Sequence, residues 1–192
     1  DFCETRAGAN ARRFLGEWQG TLVTDDFAGY KQLYTQGITE AGCWAHARRK
    51  FFDLHASSQS PMAAQALAYI GQLYEVEREA REQDATAQQR GLLRQAKSKP
   101  LLDAMHAWML VMRHKVMDNS AAAKALDYSL RRWVALTRFV DDGQLPVDNN
   151  WIENQIRPIA IGRNNWLFAG SLRAGQRAAA VMSLIQSARM YG

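Results

Sequence analysis

DNNWIENQIRPIAIGRNNWLF, residues 148–168, crowds acids, amides, arginines and two tryptophans around one glutamate, Glu153. Ordinary core segments do not carry so many polar groups, so the stretch asks for a reason. Two local reasons exist. Asn150 and Glu153 have the spacing of a capping box, with Asn as N-cap and Glu at the third helical position. Glu153 and Arg157 are also an i,i+4 pair on a helix. Neither accounts for Asp148, Trp151, Arg163, Asn164, Asn165 and Trp166. A glutamate facing a basic, aromatic surface is what a metal-dependent enzyme acting on phosphodiesters needs: carboxylates hold cations, and arginines and amides hold the backbone. For Asp148 the simplest role is a helix N-cap, with a supporting or auxiliary ligand role as the alternative.

Outward from this stretch, residues 149–157 read as a short helix stopped by Pro158. Ala178, Val181, Met182, Ile185 and Ala188 mark a final helix. Upstream, 56–143 reads as almost wholly helical. Ala66, Ile70, Leu73 and Tyr74 form one stripe. Leu101, Met105, Trp108, Met109, Met112 and Val116 form a second. Leu126, Leu130, Trp133, Val134 and Thr137 form a third, capped by Asn119 or Ser120. The Met and Trp residues are core at helical spacing. The acidic run EVEREAREQD, 75–84, is a solvated helix face.

Before this block, residues 7–18 form a short helix with Phe14, Leu15 and Trp18 on one side. GTLVTDDFAGY, 20–30, holds a strand that ends at Asp25, and ITEAGCW, 38–44, holds a second. A helix follows from Ala45, with Ala47, Phe51 and Leu54 at helical spacing. Asp25 stands where a strand ends and a cleft residue is common. An aspartate there can bind Mg²⁺, although local sequence favours Asp25 and Asp26 as turn formers.

The 192 residues suffice for one large domain or two small ones. No run of eighteen apolar residues could span a membrane, and the first residues lack the apolar core of a signal peptide. The start without methionine and the helical pattern at the end suggest a piece of a longer chain. Cys3 and Cys43 give no disulfide framework and no four-ligand zinc site, and fit a reducing cytoplasm. Cys43 and His46 make a lone C-x-x-H, read as a buried small residue beside a surface histidine. The net charge is +5, and its placement says more than its size: Arg48, Arg49 and Lys50 are contiguous, and Arg157, Arg163, Arg173 and Arg177 follow Glu153 with few acids between. That favours a polyanionic partner.

VTDDFAGY (23–30), GCWAHARRKFFD (42–53) and LPVDNNWIENQIRPIAIGRNNWLFAGS (145–171) together resemble the bacterial insertion-sequence 66 transposases, in the same order and over essentially the whole chain. The resemblance implies a DDE transposase with an RNase H-like catalytic core. The fold class is then α/β but mostly helical overall: a partial RNase H-like core in 1–55 and 144–192, and a helical insertion at 56–143 that leaves and returns at one edge of the core. In the implied Asp-Asp-Glu triad the second aspartate falls on Asp25 and the glutamate on Glu153. The first falls upstream of this chain, and Asp1 does not match its motif. Mg²⁺, with Mn²⁺ as substitute, is the implied cofactor. DNA is the implied partner, bound by an oligomer in the bacterial cytoplasm at the nucleoid. Arg157, Arg163, Asn164 and Trp166 are the implied DNA contacts, with Arg48, Arg49 and Lys50 as further candidates whose alternative is a solvated helix face. The family pattern has Lys where this chain has Asn164, which removes a point charge there. Two other readings of the same residues are a non-catalytic DNA-binding or assembly domain and a nuclease or resolvase on the same fold.

Overall fold

A computed structural model describes residues 2–5, 7–162 and 170–191, without the side chains of 159, 160 and 191. In chain order the elements are α1 (Gly8–Leu15), β1 (Thr21–Thr24), α2 (Lys31–Tyr34), β2 (Thr39–Gly42), α3 (Trp44–Ser58), α4 (Pro61–Glu82), α5 (Ala87–Leu93), α6 (Lys99–Lys115), α7 (Ala121–Arg131), α8 (Trp133–Thr137), α9 (Asn150–Gly162) and α10 (Leu172–Tyr191). The chain is mostly helical, and β1 and β2 pair in parallel. The α2 crossover between them supplies the connection that a parallel pair requires.

The starts of the helices follow from local chemistry. Ser60 accepts a hydrogen bond from the Ala63 amide, with Pro61 in the first turn of α4. Thr86 and Gln89 close a reciprocal capping box on α5. Ser120 caps α7 through the Ala123 amide, so of the two expected caps it is Ser120 that acts. Asn119 instead takes the left-handed conformation just before it, φ 62°, which Asn tolerates.

The chain divides into two units. One, here the core unit, comprises Thr21–Asp25 and Glu40–Asn149; the other comprises residues 1–20, 26–39 and 150–192. The core unit holds a continuous apolar centre built from Trp44, Phe51, Ile70, Leu73, Met105 and Leu126, among others. Each such side chain contributes roughly 1.5–3 kcal/mol on burial. The expected stripes of α4 and α6 thus lie in the core.

Four local expectations are corrected. The third helix does not run through to Thr137: it breaks at Arg132, whose φ of −105° and ψ of 13° are not helical. The break turns Val134, expected in the apolar stripe, out to solvent. Pro158 does not stop α9 but lies inside it. The φ that proline fixes is helical, so the helix passes through it while forgoing the hydrogen bond to the Asn154 carbonyl. The acidic run is not wholly solvated. Glu77 holds Arg94, which is fully buried, through Nε–Oε1 and Nη2–Oε2 bonds of 2.7 Å each. Arg94 Nη1 donates to the carbonyls of Phe139, Asp142 and Leu145. Finally, the helix expected over 7–18 ends at Leu15, which leaves Trp18 outside it, and Phe14 and Trp18 are both exposed.

Candidate functional site

Asp25 follows β1 directly. The strand ends on Thr24, buried at 3 % exposure, and the next residue is exposed. Asp26 then takes φ 76°, a left-handed conformation that aspartate tolerates better than most residues. Asp26 makes the turn, and Asp25 stands exposed at the strand end.

The helical block holds this strand end from behind. Tyr128 of α7 donates its hydroxyl to the Asp25 carbonyl at 3.2 Å. Arg132, itself buried, donates from Nη2 to the Thr24 carbonyl at 3.3 Å and pairs with Glu40 Oε1 of β2 at 2.8 Å. Arg138 Nε donates to the Glu40 carbonyl at 2.8 Å. The break at Arg132 thereby has a use: it frees that side chain to reach both strands. Lys50 Nζ lies 5.5 Å from the centre of the Tyr128 ring, within cation–π range. Of the three contiguous cations of α3, Lys50 is the one on the ring whose hydroxyl holds Asp25. Arg48 lies instead over the exposed Phe52 ring at 5.6 Å, and Arg49 is exposed.

A second polar cluster grips the chain just ahead of Glu153. The Trp44 amide donates to the Val147 carbonyl at 3.1 Å. The Cys43 thiol donates to Asn149 Oδ1 at 2.9 Å, and His46 Nδ1 lies 3.2 Å from the same sulfur. With the thiol proton committed to Asn149, the imidazole is placed to donate. Tyr74 of α4 donates its hydroxyl to Asp148 Oδ2 at 2.6 Å. Burial pushes the Cys43 thiol up, against the lowering effect of backbone hydrogen bonds from Asn149, His46 and Ala45. Burial also pushes the Tyr74 phenol up, and the Asp148 carboxylate pushes it further. A buried thiol held neutral is an inert structural group. Asp148 is therefore a hydrogen-bond acceptor for α4. The next helix, α9, begins at Asn150.

Glu153 lies in the first turn of α9, exposed, and Arg157 is exposed one turn later. Asp25 belongs to the core unit and Glu153 to the other. Arg163, Asn164 and Trp166 lie outside the described residues, as does Asp1. Among the described residues no group of three His, Cys, Asp or Glu side chains could hold a metal ion, and no helix is long and apolar enough to cross a membrane. Sequence reading missed Tyr74, Tyr128 and Arg132. The available signal was the Tyr74 hydroxyl within an apolar stripe, since a buried polar group needs a partner; Tyr128 and Arg132 lie off the third stripe and gave none.

Residues 1–177 match the family model described as Transposase IS66 family. The chain is 35 % identical over its whole length to the uncharacterized protein y4jD of Sinorhizobium fredii, and 37 % identical over its whole length to y4qI of the same organism. It spans 38 % of the first relative and 36 % of the second. No solved structure matches it.

Proposed function

The chain belongs to the IS66 transposase family, and on that premise we propose that it forms part of the catalytic domain of a DNA transposase that cuts phosphodiesters and joins strands at transposon ends. The proposed fold is an RNase H-like core interrupted by the helical block. The observation that carries the reading is Asp25, set exposed at the end of β1 and backed by Tyr128 and Arg132. Support also comes from the hydrogen bonds that join residues 43 and 44 to 147 and 149. They bring the two ends of the block side by side, as an insertion into a core requires.

Asp25 and Glu153 are the proposed metal ligands. Both are exposed carboxylates, and hard anionic oxygen is the donor that Mg²⁺ and Mn²⁺ prefer. The first aspartate of the family's triad is proposed to lie upstream of Asp25, outside these residues. Bound divalent ions would supply an activated nucleophile and stabilise the leaving oxygen of an in-line displacement. The chain's own residues do the positioning. Lys50 and Arg157 offer charge to DNA phosphates, and Arg48 and Arg49 extend the basic face of α3. Arg163, Asn164 and Trp166 are proposed to continue that contact through phosphate bonds and base stacking. Assembly on paired DNA ends is proposed to require at least two copies.

The test uses the full-length protein and DNA carrying the transposon ends. Asp25→Ala and Glu153→Gln should each lower Mg²⁺-dependent cleavage and strand transfer by at least about a thousandfold, several kcal/mol of transition-state stabilisation, while DNA affinity stays within severalfold. Cleavage unchanged in both variants would sink the proposal. Binding without metal-dependent cleavage by the wild type would leave a non-catalytic assembly role. Hydrolysis without strand transfer would point to a nuclease.

A further inference from the structure

We infer that Tyr128 and Arg132 of the helical block are positioning residues for Asp25, so that the block takes part in building the catalytic site. The inference rests on the transposase reading for its consequence, but the geometry stands apart from it. β1 is short, and β2 is its one partner among the described residues. A strand end of this kind frays unless its last carbonyls are held. Here two successive carbonyls, those of Thr24 and Asp25, receive donors from residues 132 and 128. These positions lie one helical turn apart. The two donors reinforce each other. The Arg132 guanidinium carbon lies 5.6 Å from the centre of the Tyr128 ring, and Glu40 fixes the guanidinium with a 2.8 Å bond from the neighbouring strand.

The consequence is specific. The Asp25 carboxylate is one side chain away from a carbonyl that Tyr128 holds, so freedom at that carbonyl becomes freedom in where the carboxylate points. Misplacement of a reacting group by about 1 Å can cost on the order of a hundredfold in rate. Neither side chain needs to touch substrate. Both act through Asp25.

Tyr128→Phe is the main test, because it removes only the hydroxyl and keeps the ring beside Lys50 and Arg132. Arg132→Lys is the second, because it keeps a charge but not the planar fork. Amide exchange is read first in the full-length protein. Exchange in the segment 22–28 should accelerate about tenfold in Tyr128→Phe while segments of α4 and α6 stay unchanged. Unchanged exchange at 22–28 in both variants overturns the clamp. Cleavage is read next. Tyr128→Phe should slow Mg²⁺-dependent cleavage about tenfold and raise the Mg²⁺ concentration needed for half the maximal rate, with DNA affinity and melting temperature unchanged. Faster exchange with cleavage within twofold of wild type overturns the positioning role. If Asp25→Ala itself still cleaves, the catalytic reading fails and takes the role with it, while the exchange result continues to report on the clamp.

Discussion

Two tryptophans mark the difference between the two units. Trp44, in the core unit, is completely buried, donates its indole N–H to the Leu136 carbonyl at 2.8 Å and meets Trp133 edge-on. Trp151, on α9, is 63 % exposed, and Ile152, Ile156 and Ile161 of the same helix are exposed with it. On α10, Val181, Leu184 and Ile185 are exposed as well. Apolar residues at helical spacing thus occur in both units but are used differently. In the core unit they make a centre that stabilises the fold. On α9 and α10 they lie on the surface. Periodicity reveals the helix in both cases and the burial in only one. The comparison implies that Asp25 stands on the part of the chain with the larger reserve of stability, and that Glu153 stands on the part with the smaller.

The largest expected effect lies inside the core unit. Arg94 is enclosed with Glu77, so Arg94→Ala would leave a carboxylate with little solvent and three carbonyls without their donor. The expected loss is about 3–5 kcal/mol of unfolding free energy, measured by denaturant titration. The double change Arg94→Met with Glu77→Leu should recover only part of that loss, because it removes both charges together but leaves the three carbonyls without their donor. A small effect from Arg94→Ala alone would break the comparison, since the core unit would then tolerate an uncompensated charge.

An intermediate effect is expected where the core unit hands the chain to α9. Tyr74→Phe removes the donor to Asp148 and should cost about 1–3 kcal/mol. The pH dependence has a definite sign. Burial and the Asp148 carboxylate hold the folded-state phenol above its ordinary value, while the unfolded chain titrates near pH 10. Above about pH 10 the unfolded state releases a proton that the folded state keeps, so the phenol's contribution is complete below that pH and is lost as pH rises. Cys43, whose thiol burial also pushes up, adds a loss of the same sense from about pH 8.5. Keeping Cys43 in both proteins, the unfolding free energy of Tyr74→Phe should fall less steeply above pH 10 than that of the wild type. Parallel curves would show that Tyr74 does not titrate in the unfolding equilibrium.

These residues also show what a sequence exposes. The strand before Asp25 was legible because Thr21–Thr24 is β-prone and bounded by Gly20 and by the Asp25-Asp26 pair. The α4 and α6 stripes were legible because helical spacing is local. Tyr74 was legible only as core, because its partner Asp148 is 74 residues away. The link from Cys43 to Asn149 spans 106 residues, so a lone C-x-x-H gave no sign of it. The break at Arg132 was hidden for the same reason: what draws the side chain out of the helical register is a carbonyl 108 residues earlier. Of the candidate site, the identity of Asp25 and Glu153 came from the family motifs, and the support behind Asp25 came only from three dimensions.

The smallest expected effect tests the other half of the comparison. Trp151→Ala deletes a large side chain, and a buried tryptophan treated in this way costs about 3–5 kcal/mol. Trp151 makes most of its contact with solvent, so its removal should change the unfolding free energy by no more than about 0.5 kcal/mol. Its position two residues before Glu153 makes the informative measurement a pair: stability by denaturant titration, and affinity for transposon-end DNA. Unchanged stability with weakened DNA binding would sharpen the comparison, assigning the apolar face of α9 to recognition. A loss near that of a buried tryptophan would break it, because the face would then be packed in the protein in solution and Glu153 would stand on as firm a base as Asp25.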